Sequence, residues 1–180
     1  MTTGDDFQVL IDAERIQERV GQMAESISRD YRGRDLHLVG VLKGAFRFTR
    51  DLSRALTVPH SVDYISVASY GMTTRSSGNV RLRNEMSQSV QGRNVVIVDD
   101  IIDTGNTLSW LVDHMRTMRP ESVKTCCFLD KPSRRSVPLM TDYLGYPIED
   151  LFVVGYGLDY QEKYRDLPYI SWVSPREVTV

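Results

Sequence analysis

Short apolar runs alternate along this chain with segments in which apolar residues recur every three or four positions. Runs of this kind are typical of strands in a sheet, and they lie at residues 36–42, 62–68, 95–98, 123–129 and 151–155, with a short one at 169–173. Helical spacing covers residues 16–27, 48–56 and 108–118, and Asp12 is the predicted N-cap of the first helix. Strands that alternate with helices predict an α/β fold, with a mainly parallel twisted sheet flanked by helices.

One segment interrupts this alternation. Residues 70–79 are rich in Gly, Ser and Thr and have no apolar period, which predicts a mobile loop, and residues 80–86 are predicted to return as a hairpin arm. The sequence has neither internal repeats nor linkers. We therefore expect a single domain over residues 1–180, a length sufficient for a substantial core.

Composition and charge argue against several classes of protein. A net charge of −2 gives no general basic footprint for nucleic acid or an anionic membrane, and no apolar run approaches the roughly 20 residues that span a bilayer. The first ten residues carry acids where a secretory signal would be basic. Cys126 and Cys127 are adjacent within an apolar run and fit reduced core thiols better than a disulfide. The predicted setting is cytoplasmic.

The most distinctive chemistry lies at residues 95–107. An apolar strand is followed by Asp99, Asp100 and Asp103, and then by a small polar turn, 104–107, that opens onto a helix. Such a turn offers unobstructed N–H donors and a favourable dipole to a phosphate. A Thr-Gly turn alone is more often an ordinary helix start. The three carboxylates favour a site, because carboxylates accept hydrogen bonds from ribose hydroxyls and pyrophosphate brings Mg²⁺.

Other chemically distinctive residues also follow predicted strands. In parallel sheets, ligands bind outside the carboxyl ends of the strands, so we expect these residues to converge on one rim with the acids. They are Lys43 and Gly44, Ser69 and Tyr70, Lys131, and Asp159.

Residues 95–107 resemble the signature of the type I phosphoribosyltransferases, enzymes that use phosphoribosyl pyrophosphate (PRPP). Further segments resemble the 6-oxopurine branch of that family, the bacterial hypoxanthine and hypoxanthine-guanine phosphoribosyltransferases, in the same order from about residue 38 to 170. They are residues 42–44, 69–71, 129–135, 152–160 and 164–167. The first motif is shared by many PRPP users, whereas the full set is specific to this branch.

The resemblance implies purine salvage. The 5-phosphoribosyl group of PRPP would pass to N9 of hypoxanthine or guanine, giving IMP or GMP and pyrophosphate, with Mg²⁺ as cofactor and a homodimer or homotetramer as the assembly. A xanthine-preferring enzyme stays open, because all three bases carry the 6-oxo group. An RNA-binding regulatory relative also stays open, although the balanced charge disfavours it.

The resemblance also implies a role for each acid. Asp103 would be the catalytic base, taking the N7 proton of the purine and stabilising the cationic ribose; the alternative is a helix N-cap. Asp99 and Asp100 would accept hydrogen bonds from the ribose hydroxyls. Because neighbours on a strand point to opposite faces, this shared role requires the strand to have ended there. Relatives more often carry Glu where Asp99 stands.

The remaining implied roles divide between PRPP, the purine and the metal. Thr104, Gly105, Asn106 and Thr107 would hold the 5′-phosphate, and Lys43, Gly44 and Arg165 the pyrophosphate, with a non-proline cis peptide in the Lys43-Gly44 loop. Lys131 would read the 6-oxo group, Phe152 would stack on the purine with the Val153 backbone at its edge, and Asp159 would bind Mg²⁺. A base-recognition hood would span about 130–170 and a flexible lid about 69–80, including Ser69 and Tyr70. Arg134 and Arg135 are interpreted as solvated turn residues.

Overall fold

Two sheets and three helices make up the described part of the chain. The computed structural model describes residues 8–69, 80–84 and 86–173. In chain order its elements are β1 (Gln8–Ile11), α1 (Ala13–Asp30), β2 (Leu36–Leu42), α2 (Phe46–Ala55), β3 (His60–Ser69), β4 (Val80–Asn84), β5 (Asn94–Ile102), α3 (Asn106–Thr117), β6 (Ser122–Asp130), a 3₁₀ turn (Pro132–Arg134), β7 (Tyr143–Pro147), β8 (Val153–Val154) and β9 (Ile170–Trp172).

The main sheet has six strands in the order β4-β3-β2-β5-β6-β7. The neighbours from β3 to β7 pair in parallel, and β4 pairs antiparallel to β3 at the edge, as expected for a hairpin arm. This confirms the predicted α/β fold with a mainly parallel sheet. The carboxyl ends of β2, β5 and β6 therefore open onto the same rim.

The main sheet separates two apolar layers. Val96 and Val98 of β5 pack on one side with α1 and α2, whereas Val95 and Ile97 pack on the other side with α3. Because both faces are covered, the central strands are apolar throughout, which is why their sequences read as uninterrupted runs. Cys126 and Cys127 are free and buried in these layers, as predicted.

A second, smaller sheet has the order β1-β9-β8 and is antiparallel. The prediction of a strand over residues 151–155 is therefore wrong in two respects. Only Val153–Val154 is a strand, and this strand lies in the smaller sheet and not in the main one. Gly155 ends it at a φ of +97°, where the chain turns back to bridge Leu158. β1 and β7 were not predicted, because the apolar run of β1 is only three residues long and that of β7 is interrupted by Gly145.

The helices follow the predicted spacing closely. Asp12 caps α1 by accepting a hydrogen bond from the Arg15 backbone N–H at 2.8 Å. The apolar positions Ile16, Val20 and Ile27 face the core. Within the described residues, no helix is both long enough and apolar enough to cross a bilayer.

Candidate active site

Two neighbouring cavities lie at the carboxyl ends of β2, β5 and β6, and they share Ile101 and Asp103. The larger, of about 390 Å³, is called the cleft here. It is lined by Lys43, Gly44, Asp100, Ile101, Asp103, Lys131, Phe152, Val153, Leu158, Asp159 and Arg165. The smaller, of about 170 Å³, is lined by Val41, Asp99, Ile101, Ile102, Asp103, Thr104, Gly105, Thr107 and Leu108. Most residues predicted from the sequence to form the site therefore line one of two adjoining spaces.

The turn at residues 104–107 connects β5 to α3. Gly105 has a φ of +84° and precedes the first residue of α3, Asn106, without a side-chain cap. A side chain at Gly105 would also press against Arg135 and Val137, so glycine is required there by conformation and by space. The backbone N–H groups that begin α3 are therefore the donors available to an anion in the smaller cavity. Asn106 is exposed and does not line that cavity.

Asp99 and Asp100 both belong to β5. The prediction that the strand ends before Asp99 is wrong, because β5 continues to Ile102. Strand alternation consequently directs Asp99 to the smaller cavity and Asp100 to the cleft. The two acids still meet, since the Asp100 backbone N–H donates to Asp99 Oδ1 at 3.1 Å. Burial raises the pKa of both carboxyl groups.

Asp103 is the acid shared by both cavities. It is not the N-cap of α3, a position that Gly105 takes. Its Oδ1 accepts a hydrogen bond from Arg134 Nε at 3.0 Å, and the side chains are 47% and 49% exposed respectively. Asp103 is thus reachable from the cleft while a cation holds one of its oxygens.

Arg135 is not a solvated turn residue, which corrects the interpretation made from the sequence; Arg134 is an exposed residue of the turn, as interpreted, but it pairs with acids. The 3₁₀ turn folds back toward β5, where Ser136 N–H donates to the Thr104 carbonyl at 2.9 Å. This fold places Arg134 on Asp103 and pairs Arg135 with Asp130 beneath the turn that contains Gly105. The basic run at 131–135 does not reveal that Asp103 and Asp150, which lie in other segments of the chain, pair with Arg134.

Lys131 and Phe152 face the cleft from different segments. The Lys131 side chain is only 12% exposed, and its Nζ lies 3.3 Å from Asp150 Oδ1. Phe152 is 41% exposed and its ring meets Tyr160 edge-on, with centroids 5.6 Å apart. A half-exposed aromatic ring beside a cleft, rather than in the core, is an available stacking surface. Val153 is buried beside it.

Lys43, Arg165 and Asp159 meet at the mouth of the cleft. Arg165 Nη2 lies 2.8 Å from Asp159 Oδ1, and Lys43 Nζ lies 2.8 Å from Glu162 Oε2. Glu162 also contacts Arg165 at 3.3 Å, and the Lys43 hydrogen bond lowers the pKa of Glu162. A non-proline cis peptide occurs at Leu42–Lys43, one bond before the Lys43-Gly44 bond.

Gly44 lies at the centre of a close stack. A side chain there would overlap the Asp100 carboxylate, and a side chain on Gly157 would overlap the Gly44 carbonyl. Gly157 has a φ of +104° and belongs to the segment that follows β8. The absence of two side chains thus lets the loop after β2 lie between β5 and the segment that contains Asp159.

Sequence reasoning missed Asp150 and Glu162, both of which pair with predicted site residues. Their only sequence signal is closeness to Phe152 and Arg165, which does not separate them from other surface acids. Of the predicted lid, Ser69 is the last residue of β3, and Tyr70 lies outside the described residues with the rest of segment 70–79.

Comparison with known proteins gives one consistent result. A model of the phosphoribosyl transferase domain matches residues 10–161. A hypoxanthine-guanine phosphoribosyltransferase of Mycobacterium avium is 45% identical over 179 residues, which cover 96% of this chain and 88% of that protein. One of Bacillus subtilis is 42% identical and covers 97% of both. A crystal structure of a hypoxanthine phosphoribosyltransferase from Staphylococcus aureus matches with a TM-score of 0.94 at 35% identity, covering 100% of each chain. This chain belongs to the phosphoribosyl transferase family.

Proposed function

We propose that this protein transfers the 5-phosphoribosyl group of PRPP to N9 of hypoxanthine or guanine, forming IMP or GMP and pyrophosphate. The observation that carries the proposal is the pair of adjoining cavities, one beside a helix N-terminus and one between a lysine and an aromatic ring. The names and near full-length coverage of the relatives support the same reaction. The protein would act in purine salvage.

The purine would bind in the cleft against Phe152. A 6-oxopurine presents O6 as an acceptor next to N7, which carries a proton in the tautomer that attacks through N9. Lys131 has donors only and suits O6, whereas the Asp103 carboxylate has acceptors only and suits the N7 proton. Adenine has an amino group in place of O6, so its donors would face the donors of Lys131. The cleft therefore favours 6-oxopurines.

PRPP would extend across both cavities. Its 5′-phosphate suits the smaller cavity, where the turn at 104–107 begins α3. Its ribose would lie between the two cavities, where Asp99 from the smaller cavity and Asp100 from the cleft could each accept a hydrogen bond from a different hydroxyl, although β5 does not end before them. Its pyrophosphate would face Lys43, the backbone at Gly44, and Arg165, with Arg165 exchanging its present acidic partners for phosphate oxygens.

Mg²⁺ fits this arrangement through few protein ligands. Within the described residues, no group of three His, Cys, Asp or Glu side chains converges to enclose a metal ion. Mg²⁺ is commonly held by one or two carboxylates together with waters and substrate phosphates. We propose that Asp159, with Asp100 facing the same cleft, supplies that protein share. Bound there, Mg²⁺ would neutralise charge on the departing pyrophosphate.

The proposed reaction is a single displacement. N9 of the purine bonds to C1 of the ribose as the bond from C1 to the pyrophosphate oxygen breaks, and the N7 proton passes to Asp103. Positive charge that develops on the ribose ring would lie near the Asp103 carboxylate, which favours the transition state. A lid at about 69–80 that excludes water stays a prediction.

Three further expectations also stay predictions. They are the single domain over 1–180, the cytoplasmic setting, and assembly as a homodimer or homotetramer.

A four-base comparison tests this function. Pyrophosphate release is measured with PRPP and Mg²⁺ and with hypoxanthine, guanine, xanthine or adenine in turn. We expect release with at least hypoxanthine or guanine and none above background with adenine. Release with xanthine alone would favour the xanthine-preferring alternative, and release with adenine alone, or with none of the four, would overturn the proposal.

A further inference from the structure

The two residues proposed to read the purine, Asp103 and Lys131, are connected through two further charged side chains, so that the charges alternate along a row of four. Asp103 Oδ1 contacts Arg134 Nε at 3.0 Å, and Arg134 Nη1 lies 3.7 Å from Asp150 Oδ2. Asp150 Oδ1 in turn lies 3.3 Å from Lys131 Nζ. Arg134 thus uses two nitrogens for two acids, and Asp150 uses two oxygens for two cations. We call these four residues the charge chain.

The charge chain spans three separate segments of the fold. Asp103 follows β5, Lys131 and Arg134 follow β6, and Asp150 lies between β7 and β8. Backbone hydrogen bonds hold the segments in place nearby, at 2.9 Å from Lys131 N to the Ile102 carbonyl and at 2.7 Å from Ile148 N to the Asp130 carbonyl. These bonds fix the backbone, and the charge chain adds side-chain contacts that link the charged ends of Lys131 and Asp103.

The proposed substrate requires that relative position. O6 and N7 are adjacent on one edge of the purine, so the ammonium and the carboxylate that read them must be presented side by side. The stem of Lys131 is largely buried, at 12% exposed, but its ammonium group and the half-exposed Asp103 carboxylate can still rotate, so ion-pair partners help to set the direction in which each points. The charge chain uses only some of the hydrogen-bonding atoms of each group. Arg134 contacts one oxygen of Asp103, and Asp150 accepts from one of the three donors of Lys131.

We infer that Arg134 and Asp150 are positioning residues that hold Lys131 and Asp103 at the spacing of O6 and N7, and so help select 6-oxopurines. The inference rests on the proposed function. Neither residue is required to touch the substrate. Their effect would reach the base through the two residues that do.

The contribution of the charge chain to folding is small by the same geometry. The side chains of Asp103, Arg134 and Asp150 are about half-exposed, and ion pairs of that kind contribute little to stability. Loss of Arg134 should therefore leave the protein folded, whereas loss of Asp150 leaves the Lys131 ammonium, whose side chain is 12% exposed, without its acid, so thermal unfolding of that variant is measured beside its kinetics. The effect on the reaction should be larger, because Lys131 and Asp103 would no longer be held in place. A displacement of about 1 Å in a catalytic group can cost on the order of 10²-fold in rate.

The variants Arg134→Gln and Asp150→Asn test the inference when kcat and KM are measured separately for hypoxanthine and for PRPP. Each is expected to lower kcat/KM for hypoxanthine by about 10- to 10²-fold while KM for PRPP stays within about twofold. Arg116→Gln is the matched control, because it breaks an exposed arginine–aspartate pair on α3 away from the cleft. It should leave both sets of constants at the wild-type values.

Two further variants separate positioning from general damage. Arg134→Lys should recover only part of the loss, because one ammonium on a lysine stem does not reproduce a planar group that meets two acids through different nitrogens. The double variant Arg134→Gln/Asp150→Asn should lose about as much as the more severe single variant, since each change breaks the same chain.

The outcomes divide clearly. If the wild-type protein transfers to hypoxanthine and both single variants match Arg116→Gln, the inference is wrong and the proposed function stands. Equal losses toward hypoxanthine and PRPP would also contradict it, because they indicate general damage. A wild-type protein that uses no 6-oxopurine would overturn the proposed function, and the inference with it.

Discussion

At the scale of single residues, the acids around the two cavities differ in their surroundings. Asp99 and Asp100 are drawn into β5, and burial raises the pKa of both carboxyl groups. Asp103 stands beyond the strand, half-exposed and paired with a cation. A proton acceptor must reach its substrate, and among these three acids Asp103 is the one that borders both cavities.

Replacement of Asp103 by Asn should remove proton acceptance and keep the shape of the site. Turnover with hypoxanthine should fall by about 10²- to 10⁴-fold, the usual range for a lost general base, while KM for PRPP changes little. Steady-state kinetics of Asp103→Asn measure this. Asp113→Asn, at an exposed acid of α3, is the control and should retain full turnover. Wild-type turnover in Asp103→Asn would remove Asp103 from the mechanism.

Candidate site residues could be picked out from the sequence where they lie together in one short motif. The turn at 104–107 with its three preceding acids, and Lys131 after its strand, stand out in the sequence because each motif folds locally. The partners of Arg134 were not predictable, because Asp103 and Asp150 lie in other segments, whereas Asp130, the partner of Arg135, lies only five residues before it. Pairing between segments is a property of tertiary structure, which local sequence does not contain.

At the scale of elements, the proposed site depends on how the loop after β2 fits against β5 and the segment after β8. Gly44 touches the Asp100 carboxylate on one side and the backbone near Gly157 on the other. Close packing of backbone on backbone leaves no room for a methyl group. This packing positions the proposed pyrophosphate residues against the proposed ribose residues.

Gly157→Ala tests that packing, with Gly33→Ala as its control. Both glycines have positive φ, +104° and +73°, but only Gly157 would meet another part of the chain. Each substitution should cost about 1–2 kcal/mol of stability through the left-handed conformation. Gly157→Ala should in addition lower kcat/KM for PRPP by roughly 10²-fold by displacing Gly44. Equal kinetics in the two variants would show that the close contact has no role in PRPP use.

The long strands of the main sheet were predictable from their sequence. The central strands β2, β5 and β6 are covered on both faces, so their apolar runs identify them. The short strand predicted at 169–173 is present as β9, whereas β1 pairs with it across almost the whole chain and β8 has only two residues, so β1 and β8 depend on distant partners. The end of β5 was misplaced for a different reason: two acids within a strand read as a loop until a ligand cavity explains them.

At the scale of the whole molecule, a second polar cluster lies on the amino-terminal side of the main sheet, and it bears on stability. His37 near the start of β2 is fully buried, with its Nδ1 2.7 Å from Ser61 Oγ and 3.2 Å from Arg93 Nη1. Burial lowers the pKa of His37 below its ordinary value of 6.5, and the nearby Arg93 acts in the same direction, against Asp63 and Asp35.

Because of this cluster, we expect the stability of the folded protein to decrease at acidic pH. Below about pH 6.5 the unfolded chain takes up a proton on His37 that the folded protein does not, so the free energy of unfolding should fall as pH falls through that range. Urea denaturation of the wild type and His37→Gln at pH 7.5 and 5.5 measures it. The loss between the two pH values should be smaller in His37→Gln. His114→Gln, on α3, should lose as much as the wild type, and an equal loss in all three proteins would contradict the assignment.

If this protein joins a 6-oxopurine to a phosphoribosyl group, the nucleotide that it forms is the most direct evidence. The protein is incubated with PRPP, Mg²⁺ and hypoxanthine, with adenine in a parallel reaction, and the nucleotides are identified by chromatography and mass. We expect IMP in amounts equal to the pyrophosphate released, and no AMP. AMP without IMP, or no nucleotide from either base, would contradict it.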